Sequence, residues 1–177
     1  MHFPIDNYWD GGNVFQEVEK ELNEKLQRLR DEAKTRAMDY WDEHRRQNKI
    51  RARWERGNIT PRVRITSGAL AIHWVVKRYV NGKFYSDHIK KGKRYPFRYQ
   101  MGAFKSVAKD WELELIEEME DDFELFRRVS KGITEARGAM RHLASFYGVE
   151  INRSVDGAVD DAEADEEADW EEEEDVE

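Results

Sequence analysis

The sequence contains no cysteine, which excludes disulfides and thiolate metal sites. Its five histidines, His2, His44, His73, His88 and His142, nowhere fall into H-x-H or H-E-x-x-H spacing, so no histidine metal centre is signalled. There is no G-x-S-x-G, no P-loop and no G-x-G-x-x-G, and no motif implies a cofactor. No apolar run approaches the ~18 residues of a membrane span. The N-terminal MHFPIDNYWDGG lacks the basic and apolar regions of a secretion signal. A soluble cytoplasmic protein without membrane contact is expected. Apolar residues are also scarce, 39% of 177 against a usual ~45–50%, while charge at 38% exceeds the usual ~25%. Such a chain holds one domain with long solvated helices or disordered extensions. With no catalytic constellation in view, the chain is not expected to be an enzyme.

Charge of one sign is missing from two stretches. Residues 45–105 hold 17 Lys/Arg but only two acids, Glu55 and Asp87, a local net of +15. Residues 156–177 hold 14 acids and no base. Without that tail, 24 acids face 30 bases, and the formal net charge of −8 becomes +6. The overall acidity therefore belongs to the tail, and a polyanion approaching the body meets a positive field.

Three segments follow. Residues 1–12 form an aromatic arm with Phe3, Tyr8 and Trp9, read either as a strap on the body or as a partner contact. Residues 13–148 form a single α+β domain, and residues 149–177 an acidic tail. That tail cannot bury enough apolar surface to offset the entropy of ordering, so it reads as disordered. Its roles stay open among solubilising the chain, docking on a basic surface and binding a partner.

Within the domain, Asn13 is placed to cap a helix, with Gln16 at the reciprocal position. Phe15, Val18, Leu22, Leu26, Leu29, Ala33, Ala37 and Tyr40 then recur at helical spacing. The helix is predicted to run to about Arg56, where Gly57-Asn58 and Pro61 stop it. Its apolar stripe fades after Trp41, and Arg45, Arg46, Lys49, Arg51, Arg53 and Arg56 crowd its end.

Strands follow at residues 62–66, 69–80 and 83–90. They are joined by Ser67-Gly68 and Asn81-Gly82, the latter a strong signal for a type I′ hairpin turn. The two turns fix one register, and paired residues share a face. One face collects Val63, Ile65, Leu70, Ile72, Trp74, Val76, Val80, Tyr85 and Ile89, a core face, with Asp87 its misfit. The other collects Arg62, Arg64, His73, Lys77, Tyr79, Phe84, Ser86, His88 and Lys90. After a basic loop, KGKRYPFR, a second helix keeps spacing through Phe104, Ala108, Trp111, Leu115, Met119, Phe123 or Phe126, Ile133, Met140 and Leu143. A break at Gly132 or Gly138 stays open. Asp110 through Glu124 carries nine acids and no base, read as an anionic solvent face. The fold expected is α+β: a long N-terminal helix, a three-stranded antiparallel meander and a long C-terminal helix. The two helices pair antiparallel over the apolar sheet face.

The candidate nucleic-acid-binding residues are Arg62, Arg64, Lys77, Lys90, Lys91, Lys93, Arg94 and Arg98 for phosphates, with Tyr79 and Phe84 placed to stack on bases. A protein-interaction adaptor, using the acidic tail and helix faces without touching DNA, is the alternative. The run Leu70-Ala71-Ile72-His73-Trp74, the Asn81-Gly82 turn, Ile89-Lys90-Lys91-Gly92-Lys93, Tyr95, Tyr99 and Ala108-Lys109-Asp110-Trp111-Glu112 resembles the MobI family of conjugative-transfer proteins over roughly residues 40–130. The resemblance implies an auxiliary factor that mobilises a plasmid or integrative element. Such a factor acts at the origin of transfer beside a separate relaxase. A homodimer stays open, since a long apolar helix stripe suits pairing within one chain or between two.

Overall fold

A computed structural model describes residues 11–151 apart from residue 82 and the side chain of Phe84. The aromatic arm and the acidic tail fall almost wholly outside these residues. Helix α1 spans Gly11–Ile50, strand β1 Ile59–Thr66, β2 Ala69–Val80, β3 Lys83–His88 and helix α2 Asp110–Phe146. The sheet order is β1-β2-β3, both pairs antiparallel. The layout is the expected α+β meander between two long helices. Among the described residues no helix is long and apolar enough to cross a membrane.

Several boundaries differ from the sequence reading. The described part of α1 already includes Gly11, so Asn13 is not its cap, and it ends at Ile50 rather than near Arg56. A 3-10 turn at Arg53–Glu55 follows. Strand β1 begins at Ile59 and takes in Pro61. Proline is tolerated there because main-chain bonding alternates along the ladder. The Lys77 N–H donates to the Asn58 carbonyl (2.8 Å), so residues 58, 60 and 62 face β2 while 59, 61 and 63 face outward, where no donor is needed for pairing. Helix α2 starts at Asp110, not near Phe104, and runs unbroken through Gly132 and Gly138.

Both turns and the whole register follow the sequence. Ser67 (φ 52°) and Gly68 (φ 71°) are both left-handed, as a two-residue hairpin demands, and so is Asn81 (φ 52°). Thr66 pairs Ala69, Arg62 pairs His73, Val80 pairs Lys83 and Val75 pairs His88. Leu70, Ile72, Trp74, Val76 and Ile89 enter the core with Leu26, Leu29, Ala33, Ala37 and Tyr40 of α1 and Ile116, Met119 and Phe123 of α2. Trp74 lies at the centre, edge-on to Tyr40 (5.1 Å) and Phe104 (5.8 Å) and tilted on Phe123 (5.7 Å). Such aromatic contacts add about 0.5–1.5 kcal/mol each beyond area burial. Val80 and Tyr85, assigned to the core face, are instead exposed, because the hairpin runs out past the helices. The buried stripe of α2 keeps Met119 and Phe123 as read, but its first turns bury Glu112 and Ile116 in place of Trp111 and Leu115.

The helices pair antiparallel, and polar contacts fix their register. His44 meets Glu112, Arg36 meets Asp122 (2.6 Å), and Glu19 meets Arg137 (3.2 Å) and Arg141 (2.5 Å). The inner stripe of α1 does not stop after Trp41 as the sequence suggested. It continues as buried His44 and Asn48, and toward the N-terminus as buried Glu19 and Asn23.

Side chains of the helices bond main-chain groups on both edges of the sheet, which would otherwise be unpaired. On the β1 edge the Ile59 N–H donates to Glu112 Oε1 (3.1 Å), and the Ile59 carbonyl accepts from the Tyr40 hydroxyl (2.9 Å). On the β2 edge that β3 leaves open, the Leu70 N–H donates to Ser130 Oγ (3.0 Å). There the Ile72 carbonyl accepts from Arg127 Nε (3.2 Å), and the Gly68 carbonyl from Arg137 Nη1 (2.8 Å). Helix α2 therefore runs antiparallel to β2, with one of its faces serving as the missing strand.

Candidate nucleic-acid interface

The sheet face turned from the core carries Arg62, Arg64, His73 and, farther along, Lys77 and Tyr79. Strand alternation puts them there, since each neighbours a core residue. Thr60 and Val75, at the root of the same face, are buried. Tyr79 is 60% exposed. The Lys77 ammonium lies over the Trp41 ring (4.2 Å), a cation–π contact from α1. The Phe84 side chain lies outside the described residues, although its backbone pairs with Tyr79.

The basic loop reaches this face because α2 holds it. The Tyr99 N–H donates to Glu120 Oε2 (2.7 Å), the Phe97 carbonyl accepts from Arg127 Nη1 (2.7 Å), and the Tyr99 ring is buried. The Tyr99 hydroxyl lies 3.5 Å from His73 Nδ1, which brings the loop onto the sheet. Lys90, Lys93 and Arg94 are exposed, with Arg94 over the Tyr95 ring (5.5 Å). Lys91 is also exposed as a residue, but its ammonium sits near the Tyr99 ring (5.9 Å). Desolvation there, with Arg127 beside it, lowers its pKa from the ordinary lysine value. Arg98 differs from the rest. It pairs with Asp121 and, at 3.2 Å, with Glu124 of α2, so it ties the loop to the helix.

One positive cluster results. His73 has its pKa lowered first by burial and then by His88, Arg64, Lys91 and Arg127, all near enough to oppose a further charge. The His73 and His88 rings stand edge to face at 5.4 Å. Strand alternation brings Arg62, Arg64, Lys77 and Tyr79 to one side of the sheet, and Lys91 of the adjoining loop lies near enough to His73 to act on it, while Lys90, Lys93 and Arg94 are exposed on that loop. That arrangement can neutralise phosphates along a strand.

The acids of α2 are not all solvated, as the sequence reading had them. Glu112 and Glu120 are fully buried. Glu120 accepts from Trp74 Nε1 (2.6 Å) and is clasped by Arg127 (2.8 and 3.1 Å). Glu112 takes His44 Nε2 (2.9 Å), the Ile59 N–H and the Lys109 N–H (2.9 Å). Asn48 Nδ2 faces His44 Nδ1 (3.3 Å), so the bonding pattern assigns the ring proton to Nε2. The Asn48 amide also brackets Gly57, accepting from its N–H (2.7 Å) and donating to its carbonyl (3.1 Å). A Cβ on Gly57 would collide with the Glu112 carboxylate, so only glycine fits. This histidine–carboxylate pair is sealed from solvent and fully bonded, a structural clasp rather than a proton-transfer site. Among the described residues no group of three or more His, Asp or Glu could hold a metal ion.

Sequence reasoning left Arg78, Lys83 and Tyr85 at the hairpin end out of the candidate site, all exposed, and noted Lys49 and Arg53 at the end of α1 without joining them to it. The signal was present in strand length. Twelve residues of β2 against eight of β1 leave an overhang that no third strand covers. No curated protein and no solved structure matches the chain. The family model described as MobI protein matches residues 29–141, from the middle of α1 through the whole sheet to the last turns of α2, and the chain belongs to the MobI family.

Proposed function

We propose that this protein is a non-enzymatic accessory factor of conjugative transfer that binds DNA at or near the origin of transfer and assists a separate relaxase. Family membership supports a role in mobilisation. The observation that supports the DNA contact is the outer sheet face with Arg62 and Arg64, where Arg64 and Lys91 of the following loop both act on His73, and the exposure of Lys90, Lys93 and Arg94 on that same loop. A surface of that kind binds through phosphate neutralisation and counterion release, which makes affinity fall steeply with salt. Titration of origin-of-transfer DNA between roughly 50 and 200 mM salt is expected to show affinity dropping by orders of magnitude. A flat salt dependence, or no binding at the low-salt end, would overturn the reading.

A second reading, a protein-interaction adaptor, is favoured by one feature. Exposed apolar residues gather where α1 begins and α2 ends, with Val14 50%, Phe146 80% and Tyr147 52% exposed. Phe15 and Tyr147 place the two ends side by side (6.4 Å). On this reading the helix ends hold a partner protein, and the basic sheet serves an acidic segment in place of DNA.

A further inference from the structure

The last main-chain bond between β1 and β2 is that from Lys77 to Asn58, and beyond it only β2 and β3 remain. Every residue from 78 to 88 whose exposure is described is exposed, on both faces of this two-stranded ribbon. An isolated hairpin of this size is marginal in water. Yet it carries Tyr79 (60% exposed), Val80 (48%) and Tyr85 (51%), apolar surface that the core does not use. Arg78 and Lys83 stand on one of its faces, Lys77 and Tyr79 on the other.

We propose that this ribbon, residues 77–86, enters the major groove of double-stranded DNA, while the end of α1 grips the flanking backbone. The proposal rests on the DNA-binding reading above and adds the kind of nucleic acid, the groove and the element that reads it. Size decides the groove. Two strands lie ~4.8 Å apart and rise ~3.3 Å per residue, so the four pairs and their turn make a narrow blade. The major groove of B-DNA, ~12 Å wide and ~8.5 Å deep, admits a two-stranded ribbon, and the ~6 Å minor groove does not. The deep, narrow major groove of A-form RNA refuses it as well. Chemistry fits the same place. Arg78 pairs with a solvent-exposed Asp87 (3.4 Å), a weak pair that a guanine edge or phosphate can displace. The Val80 methyl groups suit thymine methyls.

The flank lies at the same end of the molecule. Asn48 holds Gly57, Asn58 bonds Lys77, and Trp41 underlies the Lys77 ammonium. Lys49, Arg53 and Arg56 are exposed there, beside Trp54 at 76% exposure. Insertion of the ribbon thus brings a second set of cations against the backbone next to the groove.

The test compares the full chain with R78A/Y85A and with K93A/R94A. The probes are an origin-of-transfer duplex, its separated strands and an RNA duplex of the same sequence, with dimethyl sulfate footprinting of guanine N7 in the major groove. The wild type is expected to prefer the DNA duplex and to protect guanine N7. R78A/Y85A alters only exposed side chains, and an unchanged melting temperature verifies its fold. It is expected to lose about tenfold in duplex affinity together with that protection. K93A/R94A should weaken binding and lower the salt slope while keeping the protected bases. Unchanged affinity and protection in R78A/Y85A, preference for single strands or RNA, or binding without N7 protection would each overturn the ribbon assignment while leaving DNA binding standing. If the wild type binds none of the probes, the DNA-binding reading itself fails, and the ribbon assignment with it.

Discussion

His73 is the residue at which fold and interface meet. Its ring is half-buried beside Tyr99 and hemmed in by His88, Arg64, Lys91 and Arg127, and its pKa lies below the ordinary 6.5. The folded protein therefore resists protonating it, while the unfolded chain takes the proton near pH 6.5. Between the lowered and the ordinary value the unfolded state binds more protons, so stability falls as pH is lowered through that window. Denaturant midpoints measured from about pH 7.5 to about pH 5.5 should decline more steeply for the wild type than for His73→Gln. The His73 ring signals in NMR should titrate below the ordinary value. At neutral pH the ring is thus a neutral bonding group inside the positive cluster. The sequence placed His73 opposite Arg62 on the outer face. It could not show that Tyr99, 26 residues on, would return to half-bury it.

At the scale of elements, α2 is the one whose part was least legible. Its end and most of its apolar stripe could be read from spacing, but its start, its continuity and its use of polar residues as edge partners could not. Ser130, Arg127 and Arg137 occupy one helix face with Glu120 and bond successive points along β2 or its preceding turn. Serine and arginine at helical spacing carry no sign of burial until a strand edge lies against them. The turns were legible because Ser-Gly and Asn-Gly are tied to a backbone shape rather than to a distant partner. Two substitutions separate these roles. Ser130→Ala removes the acceptor of the Leu70 N–H and strands a buried donor, so it should cost about 1–3 kcal/mol. Gly138→Ala adds a methyl group where nothing lies within 4 Å and raises helix propensity, so it should stabilise by about 0.5–1 kcal/mol. Chemical denaturation of both variants measures the contrast, and equal effects would contradict the account of α2 as an edge partner.

Across the whole molecule, charge separates what spacing cannot. The chain totals −8, yet residues 1–155 alone are +6. Deleting residues 156–177 tests how the two parts share their work. If the acidic segment competes for the basic sheet, origin-DNA affinity should rise on deletion, most of all at low salt where unscreened charge acts farthest. If it recruits a partner, affinity should hold while partner capture in a pulldown is lost. The acidic segment, the basic stretch and the meander could all be read in advance. The buried carboxylates Glu19, Glu112 and Glu120 could not, because each is silenced by a partner from elsewhere in the chain: Arg137 and Arg141 for Glu19, His44 for Glu112, and Trp74 and Arg127 for Glu120. The Glu19–Arg137 contact spans 118 residues of sequence. During synthesis from the N-terminus, α1 emerges long before its counterpart exists, with its inner stripe open to water. Glu19, Asn23, His44 and Asn48 interrupt that stripe at intervals. They make the waiting helix a poorer target for stray hydrophobic association than an uninterrupted apolar face would be. Contacts this distant in sequence also form slowly. A nascent chain halted before residue 137 therefore leaves its first helix without either of the arginines that pair with Glu19.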